Sequence, residues 1–162
     1  MSKIKKLFVE NKRTVFFNKK DPIFSSWFIS KFINNLMSGG NKNKVETSVF
    51  KAFSILKIKH KKKPLLLFFL VLQKIKPIIH VKVIGFGKKK YNIPYNLSVV
   101  TQYKFAIKWL ALSIKKRKET SLEFKIIGEL NSLLLGSDSE SLKKRNTLYF
   151  QAQRNKHLIN FI

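Results

Sequence analysis

KPIIHVKVIGFGKKKYNIP, Lys76 to Pro94, is the stretch on which the reading of the fold turns. Val81, Val83 and Ile93 are β-branched, Gly85 and Gly87 admit positive φ, and Lys88, Lys89 and Lys90 are too charged to bury. The segment therefore reads as a β-hairpin over residues 78–94 with a basic tip. An isolated two-stranded ribbon is barely stable in water, so neighbouring helices must hold its base. Three adjacent ammonium groups at the tip suit a negatively charged partner.

Upstream, Pro77 stops a helix that Pro64 opens and that runs through Leu72 to Lys76. Its adjacent Phe68 and Phe69 either cover two core directions or leave one ring as an outward patch. His60 to Lys63 is a charged connection from a preceding helix, about Lys44 to Lys57, whose apolar stripe is Val45, Val49, Phe53 and Leu56. The first helix starts at Asp21 and Pro22 and presents Phe28, Phe32 and Leu36 with Ile29 and Ile33 beside them. It ends at Ser38 to Gly40, where the glycines supply a left-handed cap, and Asn41 to Lys44 form a basic turn. Residues 1–20 alternate lysines with single hydrophobics and read as a basic arm, with no secretory signal.

Downstream, Ile107, Leu110, Ala111 and Ile114 mark a fourth helix whose C-terminus is loaded with Lys115, Lys116, Arg117 and Lys118. A fifth starts at Thr120 and Ser121, turns Leu122, Ile126, Leu130 and Leu133 inward and ends at Gly136, with a turn over Ser137 to Ser141. The last segment, Leu142 to Ile162, reads as a polar, basic helix. The expected fold is mainly α: about six helices in a bundle, with the ribbon between the third and fourth, so that 21–162 is one domain behind the arm.

Composition restricts the partner. The chain has 162 residues, 34 Lys and Arg against 8 Asp and Glu, and a formal charge of +26, which repels itself unless a polyanion neutralises it. The cations are scattered over arm, turns and helix ends, which suits wrapping by nucleic acid; a membrane-surface helix would concentrate them on one face. The longest apolar run, Leu65 to Leu72, falls far short of the roughly 20 residues of a membrane span, so no membrane partner is expected. With no cysteine, thiolate zinc sites, disulfides and cysteine nucleophiles are excluded.

Catalysis finds no support. The acids Glu10, Asp21, Glu46, Glu119, Glu123, Glu129, Asp138 and Glu140 show no spacing that builds a metal or acid/base site. Glu46, Glu123 and Glu129 read as helix ion-pair partners. His60, His80 and His157 stand apart from one another and read as surface or ribbon-packing residues, and Gly85 to Gly87 lacks the spacing of a nucleotide loop. No enzyme activity, metal or cofactor is expected.

Five stretches carry a resemblance: DPIFSSWFISKFINNLMSGGNKNK (Asp21 to Lys44), VLQKIKPIIHVKV (Val71 to Val83), YNIP (Tyr91 to Pro94), KFAIKWLALSIKKR (Lys104 to Arg117) and SLKKRNTLYFQAQRNKH (Ser141 to His157). In this order and spacing they resemble the small-subunit ribosomal protein seven family, bacterial and organellar type, over about Asp21 to Ile162. The resemblance implies six helices with a ribbon between the third and fourth, binding to the 3′ major domain of small-subunit rRNA, assembly of the head, and a place near the mRNA exit and E-site tRNA. It implies rRNA contacts at Lys19, Lys20, Lys31, Lys42, Lys44, Lys82, Lys108, Lys115, Lys116, Arg117, Lys143, Lys144, Arg145, Asn155 and Lys156, with Lys88, Lys89, Lys90 and Tyr91 at the ribbon tip on the tRNA side. Neighbouring proteins of the head and platform would be further partners, and a stand-alone homo-oligomer is not expected.

The chain departs from the family pattern in two places. A paired arginine and a double glycine in the ribbon are replaced by Ile84 to Lys88, and a histidine and arginine after KKR by Tyr149 and Phe150. Losing bidentate forks shifts the tRNA-side contact toward Lys88, Lys89 and Lys90. Arginine is confined to Arg13, Arg117, Arg145 and Arg154, while Phe reaches 15, as expected of an AT-rich organelle genome. The family domain starting at Asp21 leaves no room for a cleavable presequence, so the expected compartment is the mitochondrion, with the plastid as the alternative. The competing reading is a generic basic helical adaptor for RNA or a membrane surface.

Overall fold

The computed structural model describes residues 23–24, 26–86, 89–137 and 139–161, apart from the side chains of 86, 89 and 159–161. In chain order the elements are α1 (Trp27–Leu36), α2 (Lys42–His60), α3 (Pro64–Ile75), β1 (Ile79–Phe86), β2 (Lys89–Asn96), α4 (Val99–Lys116), α5 (Leu122–Leu135), α6 (Glu140–Arg154) and a 3-10 helix (Lys156–Phe161). The expected architecture, six helices with the ribbon between the third and fourth, is the one observed.

The first five helices form because each carries an apolar stripe, and these stripes meet in a single core. Ile29, Phe32, Ile33 and Leu36 of α1 recur at i, i+3, i+4 and i+7 and are all buried. Against them pack Val45, Val49, Phe53 and Leu56 of α2, the stripe expected from sequence, and Ile107, Leu110, Ala111 and Ile114 of α4. Phe68 of α3 sits where three helices converge, its ring centroid 5.1 Å from Phe32 and 5.8 Å from Phe53. Phe69 is half-buried, with its ring 5.0 Å from Phe28, so it seals the core edge rather than forming a separate patch.

Four boundaries differ from the sequence reading. Asp21 and Pro22 lie outside the described residues, and α1 begins at Trp27, after a turn at Ile23 and Phe24. On a helix Phe24 would stand over Phe28, which faces Phe69 and Tyr103; the turn instead sets Phe24 5.9 Å from both Phe50 and Phe53 of α2. The glycines do not cap α1, which Met37 leaves in an extended conformation; Gly39 and Gly40, at φ 64° and 80°, make the turn into α2. Helix α2 starts at Lys42 and ends at His60, so most of the expected Asn41 to Lys44 turn is its first helical turn.

The fourth difference concerns the C-terminal segment. Helix α6 begins at Glu140, so the last two residues of the turn expected over Ser137 to Ser141 are helical, and Ser139 and Ser141 are buried. It stops at Arg154 rather than reaching Ile162. Asn155 takes over there: its Nδ2 and its backbone N–H both donate to the Gln151 carbonyl, at 3.0 and 3.2 Å, and the 3-10 helix follows. By contrast α5 keeps both expected signals, with the Ser121 hydroxyl accepting from the Phe124 N–H at 3.4 Å and Gly136 closing the helix at φ 79°.

The ribbon pairs antiparallel from Ile79 opposite Asn96 to Phe86 opposite Lys89. Lys89, Lys90 and Tyr91, expected at the tip, therefore belong to β2, while Gly87 and Lys88 lie outside the described residues. The base is fixed by the helices. The His80 ring stacks on Phe105 of α4 at 4.6 Å and 28°, and the Tyr149 hydroxyl of α6 accepts from the Ile78 N–H at 3.1 Å. Ile93 and Pro94 are buried, whereas Lys82, Val83, Lys90 and Asn92 are exposed, so the outer half stands in solvent.

Phe68→Ala empties the point where three rings meet. It is expected to lower unfolding free energy by about 3–5 kcal/mol, measured by urea unfolding with far-UV circular dichroism, and a cost below about 1 kcal/mol would contradict this packing account.

Candidate nucleic-acid interface

The exposed cations lie on separate elements. Lys42 and Lys44 stand in the first turn of α2, beside a shallow concavity of about 440 Å³ lined by Gly40, Asn41 and Asn43. Lys108 and Lys115 stand on the outward face of α4, with exposed Leu112 between them. Lys82 and Lys90 extend from the ribbon, Lys143 lies on the first turns of α6 with Lys144 half-buried beside it, and Lys156 opens the 3-10 helix. Lys31, on α1, is half-buried and engaged within the protein. Tyr91 is half-buried and pairs across the ribbon with Ile84. Lys19, Lys20, Lys88 and the side chain of Lys89 lie outside the described residues.

At the start of α2 the electrostatics favour an anion. The first N–H groups of a helix have no intrahelical acceptor and form the positive end of its dipole, where acids are stabilising and cations are not. Asn41 makes no side-chain cap, and the first turn contains Lys42 and Lys44 but no acid. A phosphate seated there would satisfy the N–H groups and both ammonium groups together.

Other cations bond to groups of the chain itself. Arg145 donates to the Lys74 carbonyl in the last turn of α3, and its guanidinium lies 5.8 Å from the Tyr149 ring. Lys74 in turn donates to the carbonyls of Leu133 and Leu134, at 2.8 and 3.0 Å, and so caps α5. Lys116 pairs with Glu140 at the start of α6. Arg117 bonds Glu119 through Nε at 2.8 Å and Glu129 through Nη1 at 3.0 Å. Of the acids expected in ion pairs, Glu123 meets Lys51 at 3.5 Å and Glu129 meets Arg117, while Glu46 makes no ion pair with a described residue.

These contacts shift the titrations. Burial acts to lower the Arg117 pKa, but its hydrogen bonds to Glu119 and Glu129 outweigh it and hold the guanidinium above the usual arginine range. Glu119 is depressed chiefly by a hydrogen bond from its own backbone N–H to its carboxylate and then by Arg117, against opposing burial. Glu140 is depressed chiefly by its bond to Lys116, with Lys144 and Lys143 adding to it.

Sequence reasoning missed two things. Lys61, Lys62 and Lys63 form an exposed basic run between α2 and α3, visible in sequence as a charged connection but not singled out as a site. The internal role of Arg145 has no sequence signal, because it depends on where α3 ends relative to α6. His80 packs on the ribbon base and His157 is exposed, as read, whereas His60 at the end of α2 is half-buried and bonds Asn131 of α5 at 2.8 Å. Among the described residues no group of acids and histidines could hold a metal.

Comparison with known proteins identifies the family. Residues 7–156 match the family described as ribosomal protein S7p/S5e, a match that begins inside the stretch read as an arm. A small ribosomal subunit protein uS7 of Paraburkholderia phymatum is 33% identical over 141 residues, covering 87% of this chain and 90% of that protein. The uS7 of Metamycoplasma arthritidis is 32% identical over 143 residues, with the same coverage.

The depressed carboxylates give a pH dependence. A carboxyl whose folded pKa lies below its ordinary value of 4.5 stabilises the fold above that value, and the contribution is lost as pH falls through the folded pKa. Urea midpoints are expected to drop between about pH 5 and pH 3, and the double variant Glu119→Gln, Glu140→Gln is expected to flatten that drop. An unchanged profile in the variant would show that these pairs do not couple to folding.

Proposed function

Because the chain belongs to the ribosomal protein S7p/S5e family, and is thus a structural RNA-binding protein of the small ribosomal subunit and not an enzyme, we propose that it docks on a folded junction of the 3′ major domain of the rRNA and organises assembly of the head. The observation that carries this reading is the distribution of exposed lysines: α2 start, α4 face, α6 start, ribbon and 3-10 helix each contribute, and only a partner that folds around several elements meets them all. Phosphates supply affinity and register in such a complex.

The contacts proposed are Lys42 and Lys44 with the start of α2, Lys108 and Lys115 along α4, Lys143 and Lys144 on α6, Lys156 after it, and Lys19, Lys20 and Lys31 toward the N-terminus. Lys116 joins them by exchanging Glu140 for phosphate. Arg145 and Asn155 contribute by capping α3 and α6. Lys82, Lys90 and Tyr91, with Lys88 and Lys89, face E-site tRNA and the mRNA exit. Neighbouring proteins of the head and platform cover exposed apolar side chains such as Ile58 and Leu135, 78% and 80% exposed.

The adaptor reading is weaker. No helix among the described residues is long and apolar enough to cross a membrane, and the cations are not gathered on one helix face as an interfacial helix requires. The proposed compartment, mitochondrion before plastid, rests on the lysine-, asparagine- and phenylalanine-rich composition; the relatives compared are bacterial.

Chemical footprinting of small-subunit rRNA with the purified chain is expected to give protection confined to 3′ major domain junctions. Lys143→Ala with Lys144→Ala should weaken binding and reduce the slope of log K against log salt by about 0.7–0.9 for each phosphate that is no longer neutralised. Diffuse protection, insensitive to these substitutions, would leave only a generic polycation.

A further inference from the structure

Seven cations lie where the end of α4 faces the start of α6: Lys115, Lys116, Arg117, Lys118, Lys143, Lys144 and Arg145. Repulsion among them would splay the two segments unless something inside the junction holds it. That something is Glu129 of α5, 2% exposed. Its Oε2 accepts from Arg117 Nη1 at 3.0 Å, and its Oε1 accepts from the hydroxyls of Ser113 at 2.6 Å and Ser141 at 3.4 Å. The Ser141 hydroxyl is also bonded to that of Ser139. One buried carboxylate thereby joins α4, the segment after it, α5 and the first turn of α6.

Arg117 is shaped to this place. Its Nε and Nη2 both reach Glu119 Oε1, each at 2.8 Å, while Nη1 serves Glu129. The guanidinium lies against the backbone of α5 at Gly128, where an added Cβ would stand 2.8 Å from Nη2 and 2.8 Å from Glu119 Oε1. The absence of a side chain at 128 is thus what lets the fork reach both acids. Glu129 is buried and Arg117 only partly so, and removing the guanidinium would leave the buried carboxylate uncompensated.

Taking the RNA-binding reading above as premise, we infer that Arg117 is a positioning residue and not a phosphate ligand: with Glu129 it fixes the spacing between the lysines ending α4 and those opening α6, so that a phosphate path meets a preformed array. The neighbouring pair Lys116 and Glu140 is exposed and can open, whereas Arg117 and Glu129 are locked by two serines and two carboxylates.

The test uses the full chain and a transcript of the rRNA 3′ major domain, with affinity measured across a salt series. Glu129→Gln keeps the shape and raises net charge by one. It is expected to weaken binding about fivefold or more, and Arg117→Gln combined with it should cost no more than Arg117→Gln does, because the two act as one unit. If Glu129→Gln tightens binding or leaves it unchanged, while Arg117→Gln weakens it and lowers the salt slope by about 0.7–0.9, Arg117 is a phosphate ligand and the inference is overturned.

Thermal unfolding identifies variants that are folded at the assay temperature. Should Glu129→Gln not fold, Ser141→Ala and Ser113→Ala, which change no charge, carry the same comparison. Each is expected to weaken binding by roughly twofold to tenfold at unchanged salt slope, and wild-type affinity in both would overturn the inference. Lys143→Ala with Lys144→Ala is the control for the premise. Wild-type binding in that variant would mean the RNA-docking reading had failed, whatever the Glu129 variants do.

Discussion

Charge balance is the constraint to which the other features answer. With 34 cations and 8 acids the helices cannot be paired by complementary surfaces, so attraction between them must come from apolar stripes and from a few acids placed where basic ends converge. The core supplies the first, with Phe32, Phe53 and Phe68 at its centre. The second is visible in Glu119, Glu129 and Glu140, which lie around the junction of α4, α5 and α6, where cations are most crowded. Glu123 joins α5 to α2 through Lys51. Acids distributed evenly over the surface would each have met a lysine in water, where such pairs contribute little.

Lysine and arginine are used differently. Arg117, Arg145 and Arg154 each make an intramolecular contact: a fork on two carboxylates, a helix carbonyl, and the face of Phe150 at 4.8 Å. Those tasks need a planar, multidentate donor. Lys42, Lys44, Lys82, Lys90, Lys108, Lys115 and Lys156 stand exposed as point charges, which suits a phosphate path that requires positive charge but not fork geometry. The ribbon presents Lys82 and Lys90 in the same exposed way.

Much of this was legible in sequence because it depends on local chemistry. The stripes of α1, α2 and α4, Pro64 opening α3, Ser121 and Gly136 bounding α5, and the β-branched pattern of the ribbon are all decided within a few residues, whereas Gly85 lies within β1 without the positive φ expected of it. Failures came where a distant contact overrode the local signal. Phe24 turns away to reach Phe50 and Phe53, Ser141 goes under cover to reach Glu129 with Ser139 bonded to it, and α6 breaks at Asn155 although nothing there is a strong breaker. The candidate interface was legible as composition but not as geometry. Sequence grouped Lys116, Arg117 and Arg145 with the RNA-facing cations, and only the fold shows that each is bonded to another part of the chain.

The helix starts carry the electrostatic logic one step further. Among the described residues only α5 receives a side-chain cap bond to a helix N–H, and the first turns of α1, α2, α3 and α4 hold no acid. Uncapped N-terminal N–H groups add the positive ends of helix dipoles to a surface that is already basic, and each such end is less stable than one with an acid or a cap. An ordinary soluble helix corrects this locally; here an anionic partner at those N–H groups would supply the correction. A polyanion that binds the folded chain and not the unfolded one stabilises it by mass action, so the same omissions that weaken the isolated protein strengthen its dependence on RNA. Folding stability and RNA affinity are therefore two readings of one electrostatic balance.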